Sequence, residues 1–242
     1  MNREYHRWHS PNLEREMELL VFGHAGAKVL VFPTRDGRFF EYENIGMVQA
    51  LKHKLDQGHI QLYCVDSVDH EGLYCFWKHP ADRIRRHLQF EEYILKEVVP
   101  FMDSTNPSPC TISHGCSLGA FHAVNIAFRH PHLFQKVTAF SGRYDLTLSV
   151  EVFQDLFDGY FDENVYFHNP SRFLPNLLAA DFLDHLRNMD IVLTIGREDP
   201  FLNNNVEMSQ VLTDKSIHHA LHIWDGRAHR ASAWRRMAAL YI

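Results

Sequence analysis

The stretch CTISHGCSLGAFHAVNIAFR, residues 110–129, decides the reading of this chain. Cys110-Thr111-Ile112-Ser113 reads as a short strand. Leu118–Arg129, rich in alanine and ending before Pro131, reads as a helix. Between them lies Gly115-Cys116-Ser117-Leu118-Gly119, a Gly-x-Ser-x-Gly pattern. Five residues of that kind arise by chance, but strand–turn–helix is the setting in which the pattern carries chemistry. A tight turn there lifts a serine hydroxyl over the end of a sheet. Glycines on either side let strand and helix approach, and the first N–H groups of the helix face a developing negative charge. Ser117 is therefore the candidate nucleophile; a serine that merely caps the helix is the alternative.

Outward from this point, strands and helices alternate. Glu4–His9 and Glu14–Val21 flank a Ser10-Pro11-Asn12 turn and read as an antiparallel opening. Lys28–Phe32, Ile60–Val65, Lys136–Phe140, Asp190–Ile195 and His219–Ile223 read as further strands. Helices are expected over Met47–Gln57, Ala81–Val98 (stopping before Pro100), Asn205–Thr213 and Ala231–Leu240. The pattern predicts an α/β protein, with a mostly parallel central sheet and helices on both faces. Residues 1–242 read as a single domain. Residues 146–189 lack clean strand signals and carry many aromatics, which predicts a short helical and loop insertion near the cleft.

An alcohol is a weak nucleophile until a base takes its proton. The chain has 18 histidines, so presence alone selects none. Position selects His229, after the last strand and before the last helix; His70, His114 and His122 are its rivals. The acid that orients the imidazole should follow the penultimate strand. Asp199 fits best, between Gly196 and Pro200, with Glu198 and Asp145 as competitors. The order serine, acid, histidine is that of α/β-hydrolases. The oxyanion needs two backbone N–H groups. Leu118 should supply one, and the turn after Lys28–Phe32 the other, with Arg35 preferred over Thr34 or Asp36. Asp69–Tyr74 also follows a strand and could line the pocket.

Composition narrows the classes. The 242 residues carry 30 acidic and 24 basic side chains, a net charge of −6, which argues against a nucleic-acid surface. The basic run Arg83–His87 reads as a solvated helix face. The N-terminus lacks an apolar signal segment, no run is long enough to span a membrane, and the four cysteines form no CxxC pair. A cytoplasmic protein with reduced thiols is the expectation. No HExxH or glycine-rich dinucleotide pattern occurs, so neither metal nor cofactor is expected. A homo-oligomer is compatible with the sequence.

The chain resembles the putative esterase family, the group that includes esterase D and the antigen 85 mycolyltransferases, and especially its short, leaderless bacterial members. The matching segments are SPNLEREMELLVFGHAG, VLVFPTRDGRFFEYENIGM, IQLYCVDSVD, HGCSLGAFHAVNIAFRHPHLFQKVTAFSGRYDL, YFDENVYFHNP, TIGREDPFLNN and HRASAW, in order over nearly the whole chain. The resemblance implies an α/β-hydrolase fold without a large cap domain, and cleavage or transfer of acyl esters through a serine triad. Carried over by position, the family's triad falls on Ser117, Asp199 and His229. The family's H-D-W-P-x-W pattern is here His229-Arg230-Ala231-Ser232-Ala233-Trp234, and its frequent E-S-W-Y is Glu71-Gly72-Leu73-Tyr74. Tryptophan is thus replaced by Leu73 and Ala231, and Arg230 either favours an anionic substrate or faces water. The expected activity is that of a serine carboxylic-ester hydrolase, acting through an acyl-enzyme on a small or medium ester. A non-catalytic binding or assembly module and an acyltransferase are the alternatives.

Overall fold

The computed structural model describes residues 2–242. In chain order the elements begin β1 (Arg3–Ser10), β2 (Arg15–Phe22) and β3 (Ala27–Phe32). Three short helices follow, α1 (Glu41–Asn44), α2 (Met47–Ala50) and α3 (Lys52–Asp56), then β4 (Ile60–Val65). Next come α4 (Pro80–Tyr93), α5 (Val99–Thr105), β5 (Thr111–Cys116), α6 (Leu118–Arg129) and β6 (Lys136–Phe140). The chain continues with α7 (Glu163–Phe167), α8 (Pro170–Phe173), α9 (Ala180–Arg187), β7 (Asp190–Gly196), α10 (Leu202–Asp214), β8 (Ala220–Trp224) and α11 (Ala231–Tyr241). The eight strands form one sheet in the order β1-β2-β4-β3-β5-β6-β7-β8. β1/β2 and β2/β4 are antiparallel, and every later pairing is parallel. This is the α/β-hydrolase architecture, with no large cap domain.

The central strands read as unbroken apolar runs because both faces are covered. In β3, Leu30 and Phe32 pack into one core cluster while Val29 and Val31 pack into the other. In β4, Tyr63 and Val65 point one way and Ile60, Leu62 and Cys64 the other. Phe90, Val124 and Leu212, from α4, α6 and α10, fill the first cluster. Tyr42, Leu55 and Met237, from α1, α3 and α11, fill the second. A third, smaller cluster gathers Leu73, Ile84, Phe121, Leu156, Phe157 and Val165 beneath the 146–189 segment.

Three expectations change. The long helix does not stop before Pro100: α4 passes through a π-helical turn, Ile94–Val98, into α5. Val99 N–H reaches back to Ile94 O, and this widened turn accommodates a proline ring that would clash in a regular helix. The expected helix Met47–Gln57 breaks at Leu51 into α2 and α3. The basic run is not a solvated face. Arg83 and His87 are buried, Arg83 pairs with Asp158, and Arg86 clamps Glu71 and the Leu13 carbonyl.

Parallel pairing brings the C-terminal ends of β3, β5, β6, β7 and β8 to one edge of the sheet. Phe32 sits opposite Gly115, Cys116 opposite Phe140, and Gly196 opposite Trp224. The loops leaving these ends carry the residues of interest, as expected for open α/β sheets.

Candidate active site

β5 runs straight through Cys116 into the turn, leaving Cys110 just outside the strand. Ser117 has φ 57° and ψ −122°, a conformation that costs a side-chain-bearing residue about 1–3 kcal/mol. The surrounding backbone holds it there: Ser117 N–H donates to Phe140 O at 2.8 Å, and Ser117 O accepts from Ala120 N–H at 3.0 Å. The flanking glycines are obligatory on steric grounds. A Cβ on Gly115 would lie 2.1 Å from the Gly119 carbonyl oxygen, and one on Gly119 would lie 2.4 Å from that of Phe32.

His229 Nε2 lies 2.9 Å from Ser117 Oγ, and its Nδ1 lies 2.8 Å from Asp199 Oδ2. Asp199 is buried. Its second oxygen accepts from Phe201 N–H at 3.0 Å, which fixes the carboxylate plane. The loop carrying His229 passes directly over the end of β7, where a Cβ on Gly196 would lie 1.9 Å from Arg227 O. Trp234, one turn into α11, packs edge-on against His229 with ring centroids 5.5 Å apart.

The rival residues lie elsewhere. Glu198 is exposed. Asp145 pairs with Arg172 and accepts from Thr147. His114 is buried, with Nδ1 at 2.8 Å from Thr138 O, and burial lowers its pKa to about 4. His122 bonds Asp69 at 3.0 Å, and His70 is exposed beside Glu71. For the oxyanion, Thr34 is ruled out because its N–H is taken by Glu41 at 2.7 Å. The N–H groups of Arg35 and Leu118 make no hydrogen bond among the described residues, and both residues line the cavity at Ser117.

The sequence profile of the family described as "Putative esterase" matches residues 10–237. The chain belongs to that family. It is an esterase-type serine hydrolase. No curated protein matches it. Solved structures share its fold at low identity. A ferulic acid esterase superposes with a TM-score of 0.77 at 15% identity, covering 99% of this chain and 96% of its own. An S-formylglutathione hydrolase from Agrobacterium tumefaciens gives 0.76 at 14%, covering 98% and 91%. A fluorophosphonate-binding serine hydrolase of Staphylococcus aureus gives 0.73 at 14%, covering 98% and 95%.

In this esterase the cavity at Ser117 has a volume of about 300 Å³, and a second lobe of about 240 Å³ shares Arg35, Tyr74, Arg143 and Phe153 with it. The two positions where the resemblance implies tryptophan hold smaller residues, Leu73 and Ala231. Leu73 is buried in the third core cluster and Ala231 packs beside the second. Aromatic lining comes instead from Tyr74, Phe153, Phe201 and Trp234. Arg230 is exposed and lines neither lobe; the cations in the cleft are Arg35 and Arg143. Phe153 belongs to the aromatic 146–189 segment expected near the cleft, whereas Ser141, Arg143 and Phe201 were not singled out from the sequence. The available signal was Ser141-Gly142-Arg143 at the end of β6, the same sheet edge as the other loops. Ser141 holds φ 56° and accepts the Trp234 indole N–H at 3.1 Å. No group of three or more potential metal ligands occurs among the described residues, and none of their helices is long and apolar enough to cross a membrane.

Proposed function

We propose that Ser117, His229 and Asp199 form the catalytic triad of this esterase, and that it cleaves small or medium carboxylic esters through an acyl-enzyme. The observation that carries the reading is the unbroken hydrogen-bonded chain Ser117–His229–Asp199 opening onto the cleft. His229 Nε2 takes the Ser117 proton as Oγ attacks the ester carbonyl carbon. Asp199 keeps the Nδ1 proton on its own side and stabilises the imidazolium without becoming protonated. The Leu118 and Arg35 N–H groups receive the carbonyl oxygen as it becomes an oxyanion. The C–O bond to the alcohol then breaks, and His229 returns the proton to the departing oxygen. Water, deprotonated by the same nitrogen, attacks the acyl-enzyme, releasing the carboxylic acid and restoring Ser117.

A fluorophosphonate probe followed by mapping of the labelled residue tests this directly, beside hydrolysis of short-chain aryl esters. Label at Ser117, lost together with ester turnover in a folded Ser117→Ala variant, is the expected result. Equal turnover by both forms would overturn the assignment. Adding alcohols to the assay and analysing products separates hydrolysis from acyl transfer.

A further inference from the structure

Two arginines line both lobes of the cleft, Arg35 and Arg143. Arg35 is exposed, with its guanidinium 5.3 Å from the Tyr74 ring centroid and Nε 3.8 Å from Asp36. Arg143 differs: it is 6% exposed and forms no ion pair among the described residues. Its Nε donates to Asp145 O at 3.0 Å. Its Nη2 points at the carbonyls of Leu146, Leu148 and Gln154, at 2.9, 2.5 and 2.8 Å. The remaining nitrogen, Nη1, makes no hydrogen bond among the described residues; Arg143 lines the cleft, with its guanidinium carbon 5.4 Å from the Phe201 ring centroid.

The nearby acids are occupied. Asp145 pairs with Arg172 and Thr147, and Asp155 caps the Phe157 and Gly159 N–H groups. Asp158, at the rim of the second lobe, pairs with Arg83. A cation removed from water is costly unless an anion or a full set of dipoles compensates it. Here carbonyl dipoles serve two of the three nitrogens, and the third has no hydrogen bond among the described residues in a side chain that lines the cavity. The lining of the two lobes holds two arginines against one acid, Asp158, a balance that favours an anion, and the open Nη1 of Arg143 can donate a charge-assisted hydrogen bond to a carboxylate oxygen. Apart from Gln154, the rest of the second lobe is apolar or aromatic: Tyr74, Phe76, Val152, Phe153 and Leu156.

We infer that the preferred substrate is an ester bearing a carboxylate on an apolar body, the carboxylate held by Arg143 and Arg35 while the ester carbonyl meets Ser117. This rests on the catalytic reading of Ser117 given above.

The test compares, on the wild-type enzyme, ester pairs that differ in a terminal carboxylate, with each rate divided by the uncatalysed hydrolysis of the same ester. Mono-4-nitrophenyl suberate against 4-nitrophenyl octanoate probes the acyl side, the chain being too long for the carboxylate to attack its own ester through a small ring. 4-Acetoxybenzoate against 4-acetoxybenzamide probes the alcohol side, and 4-acetoxyphenyl phosphate supplies a phosphate arm. The expected result is a kcat/KM at least tenfold higher for the carboxylate member of one pair, arising mainly in KM. Arg143→Met should shrink that ratio at least fivefold, and Arg35→Met should shrink it less. Because the ratio is taken within one variant, damage to the 145–154 loop that slows both esters equally cancels. Should Arg143→Met fail to fold, the wild-type ratio and Arg35→Met still decide.

Wild-type ratios at or below one for both pairs would leave Arg143 a purely structural brace and overturn the inference. Ratios unmoved by either substitution, or a preference for phosphate over both carboxylates, would overturn it equally. Failure of the catalytic reading looks different: neutral esters are not turned over and Ser117 takes no fluorophosphonate label.

Discussion

Replacing Asp199 with asparagine asks which tautomer His229 holds. The Asp199 side chain is 0% exposed and makes two bonds, Oδ2 to His229 Nδ1 at 2.8 Å and Oδ1 to Phe201 N–H at 3.0 Å. An amide fits the same space, but it is half donor. Phe201 N–H cannot accept, so the amide oxygen must face it and the NH₂ must face Nδ1. Nδ1 then becomes an acceptor and the imidazole proton moves to Nε2. That nitrogen donates toward Ser117 Oγ instead of taking its proton. The expected loss is about 10³–10⁴ in kcat, roughly 4–5.5 kcal/mol of barrier. Asp199 does not line the cavity, so KM should move little. The number of hydrogen bonds is preserved, so stability should change by less than about 1.5 kcal/mol. Steady-state hydrolysis of 4-nitrophenyl acetate, beside a thermal melt, reads both quantities. Glu198→Gln is the control, since that side chain is exposed and should stay within about twofold. If the asparagine variant kept more than about a tenth of the wild-type kcat, under 1.4 kcal/mol, Asp199 would not be fixing the imidazole.

Further outcomes follow from the same geometry. Gly196→Ala places a methyl on the Arg227 carbonyl and must move the His229 loop; destabilisation of about 1–3 kcal/mol should come with at least a tenfold fall in kcat, read by melting and by fluorophosphonate labelling rate. Trp234→Phe leaves the buried Ser141 hydroxyl without its indole donor and should cost about 1–3 kcal/mol in urea unfolding. Acid should destabilise the fold before its carboxylates titrate. His87 is held well below its ordinary pKa of 6.5, first by burial and then by His168 and His122, with Glu91 opposing; His114 is lowered to about 4 by burial. Both folded values lie below the unfolded one, so the unfolded chain binds more protons as pH falls through 6.5. Stability present above that pH is lost below it, by up to about 1.4 kcal/mol per histidine per pH unit. Melting temperature should fall between pH 7 and pH 5, less steeply in His87→Phe; a flat profile would contradict the burial argument.

The fold was legible where residues satisfy local and global demands together. β3, β4 and β7 pack both faces and so read as apolar runs. The elbow needs glycine at 115 and 119 for steric reasons that leave a pattern in the chain, and Asp199 and His229 follow strands whose order is set by topology. Other features leave no such trace. Pro100 normally ends a helix, and a π-turn upstream cannot be read from apolar spacing. Arg230, beside the histidine, could be read either as a substrate contact or as facing water, and as the residue preceding α11 it turns outward. Arg143 did not stand out in the sequence because its partners are main-chain carbonyls up to eleven residues away, and carbonyls have no letter in a sequence.

β8 ends the sheet. It pairs with β7 alone among the described strands, and its residues Ala220–Trp224 are half-buried or exposed. Ser117 and Asp199 follow strands with neighbours on both sides, whereas His229 depends on this last one. Opening an edge costs less than unfolding the whole molecule. On warming, the base should therefore detach from the nucleophile while the strained turn at Ser117 is still intact. Activity then has a lower thermal ceiling than the fold, and cooling restores it without refolding. Amide exchange across 220–224 should track that loss.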